Sequence, residues 1–211
     1  MTEQARAART RQRLVHNAAA EFAQRGYEGT SFARVCKAAG VTMGALTFHF
    51  PTKTSLAEAV CAEGIEGTRA SVDDADRGAG SPLQAVGRIA RAAAGALGEQ
   101  PAAQASARLS REQPSLGLNW RDAWLPLIRT RLYQAQKLDE LRPGTRPETA
   151  TLLVASLVAG LEAGLLPQLG ELLLLSSAPQ EQLAELWQLT LRGIGTATPP
   201  GPPPTPWDRQ V

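Results

Sequence analysis

From Arg9 to Arg25 the apolar residues return every fourth position, Leu14, Ala18 and Phe22 with Val15 and Ala19 beside them. That spacing predicts a helix with one buried stripe, ended by Gly26 and preceded by a loose arm over residues 1–8. A shorter pattern follows. Thr30 reads as an N-cap, Phe32, Val35, Cys36 and Ala39 line one face, and Gly40 supplies the left-handed residue that ends a helix. Val41 can fill the gap between this helix and the next. Thr42 caps that next helix, with Leu46 and Phe50 inward and Met43, Gly44, Ala45, Thr47 and His49 outward. Pro51 breaks the pattern and Thr52 caps a further helix over about 54–70, with Leu56, Val60 and Ile65 inside. Gly64 and Gly67 weaken its end, and Asp73 to Ser81 reads as a connection.

Three later helix starts pair a hydroxyl with Glu or Gln three residues on, and each has Pro in the first turn. They are Ser81 with Gln84, Thr145 with Glu148, and Ser177 with Gln180, predicting helices near 82–98, 146–166 and 178–194. Pro101 to Arg111 and Asn119 to Lys137 also read as helical, with Pro114 to Leu118 as a loop between them. No stretch alternates as a strand does. The fold class is therefore all-α: an N-terminal three-helix helix-turn-helix domain plus a larger helical domain. The expected divisions are 1–62, 63–198, and a proline-rich tail at 199–211 that is extended or disordered.

The helix over 146–166 is apolar nearly all round (Leu152, Leu153, Val154, Leu157, Val158, Leu161, Leu165), so it must be covered on more than one side. Gly160 and Gly164 would let a second helix approach. Leu183, Leu186, Trp187, Leu191 and Ile194 add a stripe on the last helix. Together the two helices read as half of a four-helix homodimer interface, or as an ordinary core.

Charge sharpens the picture. Net charge is only +2, but residues 1–62 carry eight Lys+Arg against four Asp+Glu, and the remainder 14 against 16. The basic excess thus sits with the helix-turn-helix, as a nucleic-acid footprint requires. Arg6, Arg9, Arg11 and Arg13 could reach phosphates or be a solvated helix end. An enzyme fares badly: His16 and His49 are the two histidines, both in the basic part. The larger domain has no cysteine after Cys61, no glycine-rich phosphate loop and no carboxylates at metal spacing. No catalytic residue, metal or cofactor is expected. Cys36 and Cys61 read as buried, reduced thiols. Residues 1–13 are polar and basic with no apolar region after them, and the most apolar run, Leu172 to Leu175, is too short for a bilayer, so the cytoplasm is expected. A helical adaptor would explain the bundle but not the basic excess.

The stretch AAGVTMGALTFHFPTKTSLAEAV (Ala38–Val60) resembles the DNA-binding signature of the TetR family of transcription regulators, whose usual form is close to AGVSxGxLYxHFxSKExLxxAV. The resemblance implies a homodimer on a near-palindromic DNA operator. It implies that Thr42 caps the recognition helix and takes a phosphate, that Gly44 lets the helix near the base edges beside Met43 and Ala45, and that Thr30, His49 and Lys53 hold phosphates. A packing role for His49 stays open. Two departures stand out. The usual Tyr is Thr47, with a shorter reach, and the Lys frequent before Gly44 is Met43, which offers only apolar contact.

In the larger domain, ARLSREQ (Ala107–Gln113), Trp124 eleven residues before Ala135, and LRPGTRP (Leu141–Pro147) resemble the γ-butyrolactone receptor branch of that family. The resemblance implies a repressor released by a small lactone-like effector, with Trp124 lining the pocket. Trp120, one turn earlier on the same helix face, is a second candidate, and Gln104, Arg108 and Gln113 are possible polar partners. Both tryptophans could instead be core residues. An orphan or drug-responsive regulator of the same family remains the alternative.

Overall fold

The computed structural model describes residues 3–163, 168 and 179–196. Helices account for most of these: α1 (Glu3–Gly29), α2 (Phe32–Ala39), α3 (Met43–His49), α4 (Lys53–Arg77), α5 (Pro82–Glu99), α6 (Pro101–Glu112), α7 (Leu125–Lys137), α8 (Pro147–Glu162) and α9 (Pro179–Ile194). Short 3₁₀ turns at Pro114–Leu116 and Trp120–Ala123 lie between α6 and α7. One isolated antiparallel bridge, Leu141 to Gly195, ties the end of α9 to the loop before α8. The Ser177–Gln180 cap, the Leu172–Leu175 run, Gly164, Leu165 and the 199–211 tail fall outside the described residues, as does the side chain of Leu183.

Two cores form. The first gathers Leu14, Val15, Ala18 and Phe22 of α1, Val35 and Ala39 of α2, Leu46 and Phe50 around α3, and Leu56, Val60 and Cys61 of α4. Ala105 and Leu109 of α6 complete it, so the larger domain contributes to the smaller domain's interior. The second core surrounds Trp120 and Trp124 with Val86, Ile89, Ile128, Leu132, Val154 and Trp187. Helix α4 crosses residue 62 without a break and serves both cores. At its crossing with α6, Gly64 lies so close that a Cβ there would overlap the Ala102 carbonyl. Both cysteines are free and buried, and desolvation pushes the Cys61 thiol up to about 11, a bond with Ser106 opposing and Glu58 adding to the rise.

Several expectations need correction. Residues 3–8 are helical, because Gln4, Ala5, Arg6, Ala7 and Ala8 are good helix formers that extend α1. The Asp73–Arg77 stretch is the last turn of α4. Its terminal carbonyls are satisfied from outside, Arg88 donating to Ala75 O (2.9 Å) and Gly78 O (2.8 Å), while Arg131 takes Asp76 bidentately. Helix 119–137 is interrupted at Trp124, because Pro126 belongs in the first turn of a new helix. Thr145 does not cap α8. Arg146 stands at the cap without a side-chain bond, and Glu148 accepts from the Tyr133 hydroxyl instead.

Candidate nucleic-acid interface and effector core

Helix α3 has seven residues, too short to persist alone. Its neighbours hold it. Leu46 and Phe50 are buried in the first core, each worth roughly 1.5–3 kcal/mol by area. The Thr42 hydroxyl accepts from Ala45 N–H (3.2 Å) and fixes its start. Gly40, at φ 61° and ψ 42°, turns the chain from α2, and Arg13 donates to the Ala39 carbonyl at that helix's end. The outward face then presents Met43, 46% exposed, with Gly44 and Thr47 exposed and Ala45 and His49 half-buried. A Cβ at Gly44 would meet nothing within 4 Å, so the protein itself does not require glycine there.

Phe48 is the residue sequence reasoning missed. It is 81% exposed on α3, its ring edge-on to His49 at 5.2 Å. The signal was present: with Leu46 and Phe50 inside, the position between them must face away at 3.6 residues per turn. Thr47 turns its hydroxyl back to Met43 O (3.1 Å) and Gly44 O (3.2 Å), which occupies its proton within the helix. His49 lies between the rings of Phe48 and Phe50.

Thr30 is a correction. It is 3% exposed and donates its hydroxyl inward to Gly26 O (2.8 Å), so it neither caps α2 nor faces a phosphate. The cap is Ser31, exposed, accepting from Arg34 N–H (3.4 Å). Lys53 stands in the first turn of α4 with its ammonium 4.4 Å from the Tyr27 ring centroid. Thr52 and Ser55 form a reciprocal capping box beneath it. Among the four N-terminal arginines, Arg13 is engaged at Ala39 and Arg11 lies over the Phe50 ring at 5.1 Å. Arg6 and Arg9 remain exposed on α1.

In the larger domain both Trp120 and Trp124 are fully buried, their rings 5.7 Å apart at 59°. Trp120 starts a 3₁₀ turn and Trp124 ends it, so they do not share a regular helix face as expected. Trp120 Nε1 donates to Thr68 Oγ1 of α4 at 2.8 Å. Trp124 Nε1 is buried and has no acceptor among the described residues, an uncompensated donor costing about 1–3 kcal/mol. Gln104 bonds the Leu97 carbonyl and Arg108 the Glu112 carboxylate, not the Trp124 indole. They line an open cleft with Leu97, Arg111, Leu161 and Glu162. Gln113 closes α6 through its backbone N–H. The Glu162 carboxylate, nearly buried, is held by Arg111 and by Arg121 at 2.8 Å.

A short helix projected by a helix-turn-helix, on a larger helical body with a buried aromatic centre, is the build of an effector-controlled DNA-binding regulator. Residues 14–60 match the family described as bacterial regulatory proteins, tetR family. The A-factor receptor protein of Streptomyces griseus is 30% identical over 196 residues, 92% of this chain and 67% of that protein. The chain belongs to the tetR family of bacterial regulatory proteins. A crystal structure of a γ-butyrolactone receptor (ArpA-like protein) superposes with TM-score 0.73 at 26% identity, covering 92% of each chain. CprB from Streptomyces coelicolor, in complex with its biological operator sequence, gives TM-score 0.71 at 29% identity and 92% of each chain. These relatives are regulators and receptors, not enzymes.

Proposed function

We propose that the protein is a homodimeric transcriptional repressor that binds a near-palindromic operator and is released by a small γ-butyrolactone-class effector. The observation that carries this is α3: a short helix pinned by Leu46 and Phe50 that turns Met43, Gly44, Thr47 and Phe48 to solvent. Gly44 admits the groove, Met43 and Phe48 offer apolar contact to thymine methyl groups or sugars, and Thr42, His49 and Lys53 flank them toward phosphates. Ser31 replaces Thr30 in that set. The protein works in the cytoplasm, where its DNA is; among the described residues no helix is long and apolar enough to cross a membrane.

Residues 1–62 serve DNA and residues 63–198 serve effector and dimer. Leu152 and Leu189 on α8 and α9, 67% and 62% exposed, support pairing of these helices with those of a second copy. Dimerisation would set two α3 helices about one DNA turn, or a multiple of it, apart. The unpartnered Trp124 donor supports a lactone carbonyl as its acceptor in the bound state. An effector shifts the equilibrium only if it binds the operator-incompetent form better. The test is to select genomic fragments with purified protein, then add culture extracts containing γ-butyrolactones in a mobility-shift assay. Release of the selected fragment supports the reading. Failure to retain any duplex at low ionic strength sinks the DNA half. Retention of the complex despite verified lactone binding sinks the effector half.

A further inference from the structure

The ARLSRE segment spans Ala107–Glu112. It forms the second half of α6, and two of its side chains reach the kink in α1. Gly26 sits at φ 70° and ψ −174°, a region open essentially to glycine alone, and turns the following peptide out of the helix. In a straight helix Tyr27 N–H would donate to the Ala23 carbonyl. Here Tyr27 N–H donates to Glu112 Oε2 at 2.7 Å, and the Ala23 carbonyl accepts from Arg108 Nη1 at 3.1 Å. The two α6 side chains also bond each other, Arg108 Nε to Glu112 Oε1 at 2.6 Å. A Cβ at Gly26 would stand 2.5 Å from Glu112 Oε2 and 2.7 Å from Arg108 Nη2, so only glycine leaves room for the pair.

We propose that Arg108 and Glu112 are positioning residues for operator binding, a donor and an acceptor that replace the α1 hydrogen bond opened at Gly26. This rests on the reading that α3 binds DNA. The clamp sets the direction in which the chain leaves α1 for α2 and α3. Tyr27, which it holds, stacks on Phe22 (6.2 Å), meets Thr54 Oγ1 through its hydroxyl (3.1 Å) and carries the Lys53 ammonium over its ring. The same stretch of α6 faces the effector core: Ser110 Oγ accepts from Trp120 N–H at 3.0 Å, and Arg111 pairs with Glu162 of α8. The clamp is therefore a polar contact by which the larger domain orients the DNA-reading helices, beside the apolar packing of Ala105 and Leu109.

Operator affinity and amide exchange in the full-length protein test this, using a DNA fragment selected by the wild type. Losing the clamp lowers the fraction of molecules with α3 correctly directed, and apparent affinity falls in proportion. E112A is expected to bind the fragment about tenfold more weakly, the scale of one charge-assisted hydrogen bond, and E112Q, keeping one acceptor oxygen, about threefold. Exchange over residues 27–30 should quicken in both, with α5 and α7 unchanged. The double variant R108E/E112R restores opposite charges but sets a donor against Tyr27 N–H and an acceptor against the Ala23 carbonyl, so it should stay as weak as E112A. Rescue by that swap, or wild-type exchange at 27–30 in E112Q, overturns the proposal. If the wild type retains no duplex at all, the DNA reading fails and the exchange result alone judges the clamp.

Discussion

Single positions separate what the fold needs from what DNA and effector need. Gly44 has open space around its absent side chain, so G44A should fold and melt slightly higher, by about 0.5–1 kcal/mol for Gly to Ala in a helix. It should nevertheless lose operator affinity, because the added methyl stands where the groove must come. Equal affinity in a titration of wild type and variant would remove Gly44 from the interface. Trp124 offers the opposite case. W124F deletes a buried donor that has no acceptor among the described residues, so its packing loss should be partly offset in a urea melt. Operator binding should survive while release by an active extract is lost. A W124F that is still released shows that the indole donor does not serve the effector. Thr30 shows how a side chain that suits two jobs is read wrongly. Two adjacent hydroxyls, Thr30 and Ser31, could each cap α2, and burial of Thr30 against Gly26 O decides between them.

Among the helices, α4 and α6 carry the load. Their axes meet at Gly64, where the Ala102 backbone fills the space a side chain would take. G64A therefore overpacks a backbone contact and should cost about 1–3 kcal/mol or more, read as a lower urea midpoint. An unchanged midpoint would mean that the two helices can separate freely. The α6 clamp adds a pH dependence. Partial burial pushes the Glu112 carboxyl up, but bonds from Arg108 and Tyr27 N–H and the charges of Arg108 and Arg111 outweigh it and hold it below the usual 4.5. A depressed folded value contributes stability above the unfolded value and loses it as pH falls through the folded one. The stability gap between wild type and E112Q should thus be full at pH 7 and shrink below pH 4.5, and a gap independent of pH would contradict the assignment. Helix starts were largely legible where proline and a hydroxyl coincide, as at Ser81 and Pro82. The length of α4 was not. Its acidic, glycine-flanked end reads as a loop until Arg88 and Arg131 arrive from elsewhere in the chain.

At the level of assembly, α8 leaves Leu152 and Leu153 uncovered and α9 leaves Leu189 uncovered, while Val154, Val158 and Trp187 face inward. Apolar side chains on both faces suit a second partner, and in the proposed dimer a symmetric copy supplies it. Aspartate at both Leu152 and Leu189 should hold the chain monomeric in light-scattering measurements at micromolar concentration. Operator binding should fall with it, since one α3 reads half a palindrome. A dimer that survives both changes would place the interface elsewhere.

Local patterning alone determined the all-α class, the helix-turn-helix with Leu46 and Phe50 inside, and the basic bias of its domain. Those properties depend on residues a few positions apart, whose spacing matches the helical period and whose caps act on their own first turn. Tertiary structure decided which hydroxyl points in, where α4 ends, that the Trp124 donor is buried, and that Arg108 and Glu112 complete a helix 85 residues away. Those outcomes depend on partners brought together by packing across the chain, and no period in the sequence encodes that distance.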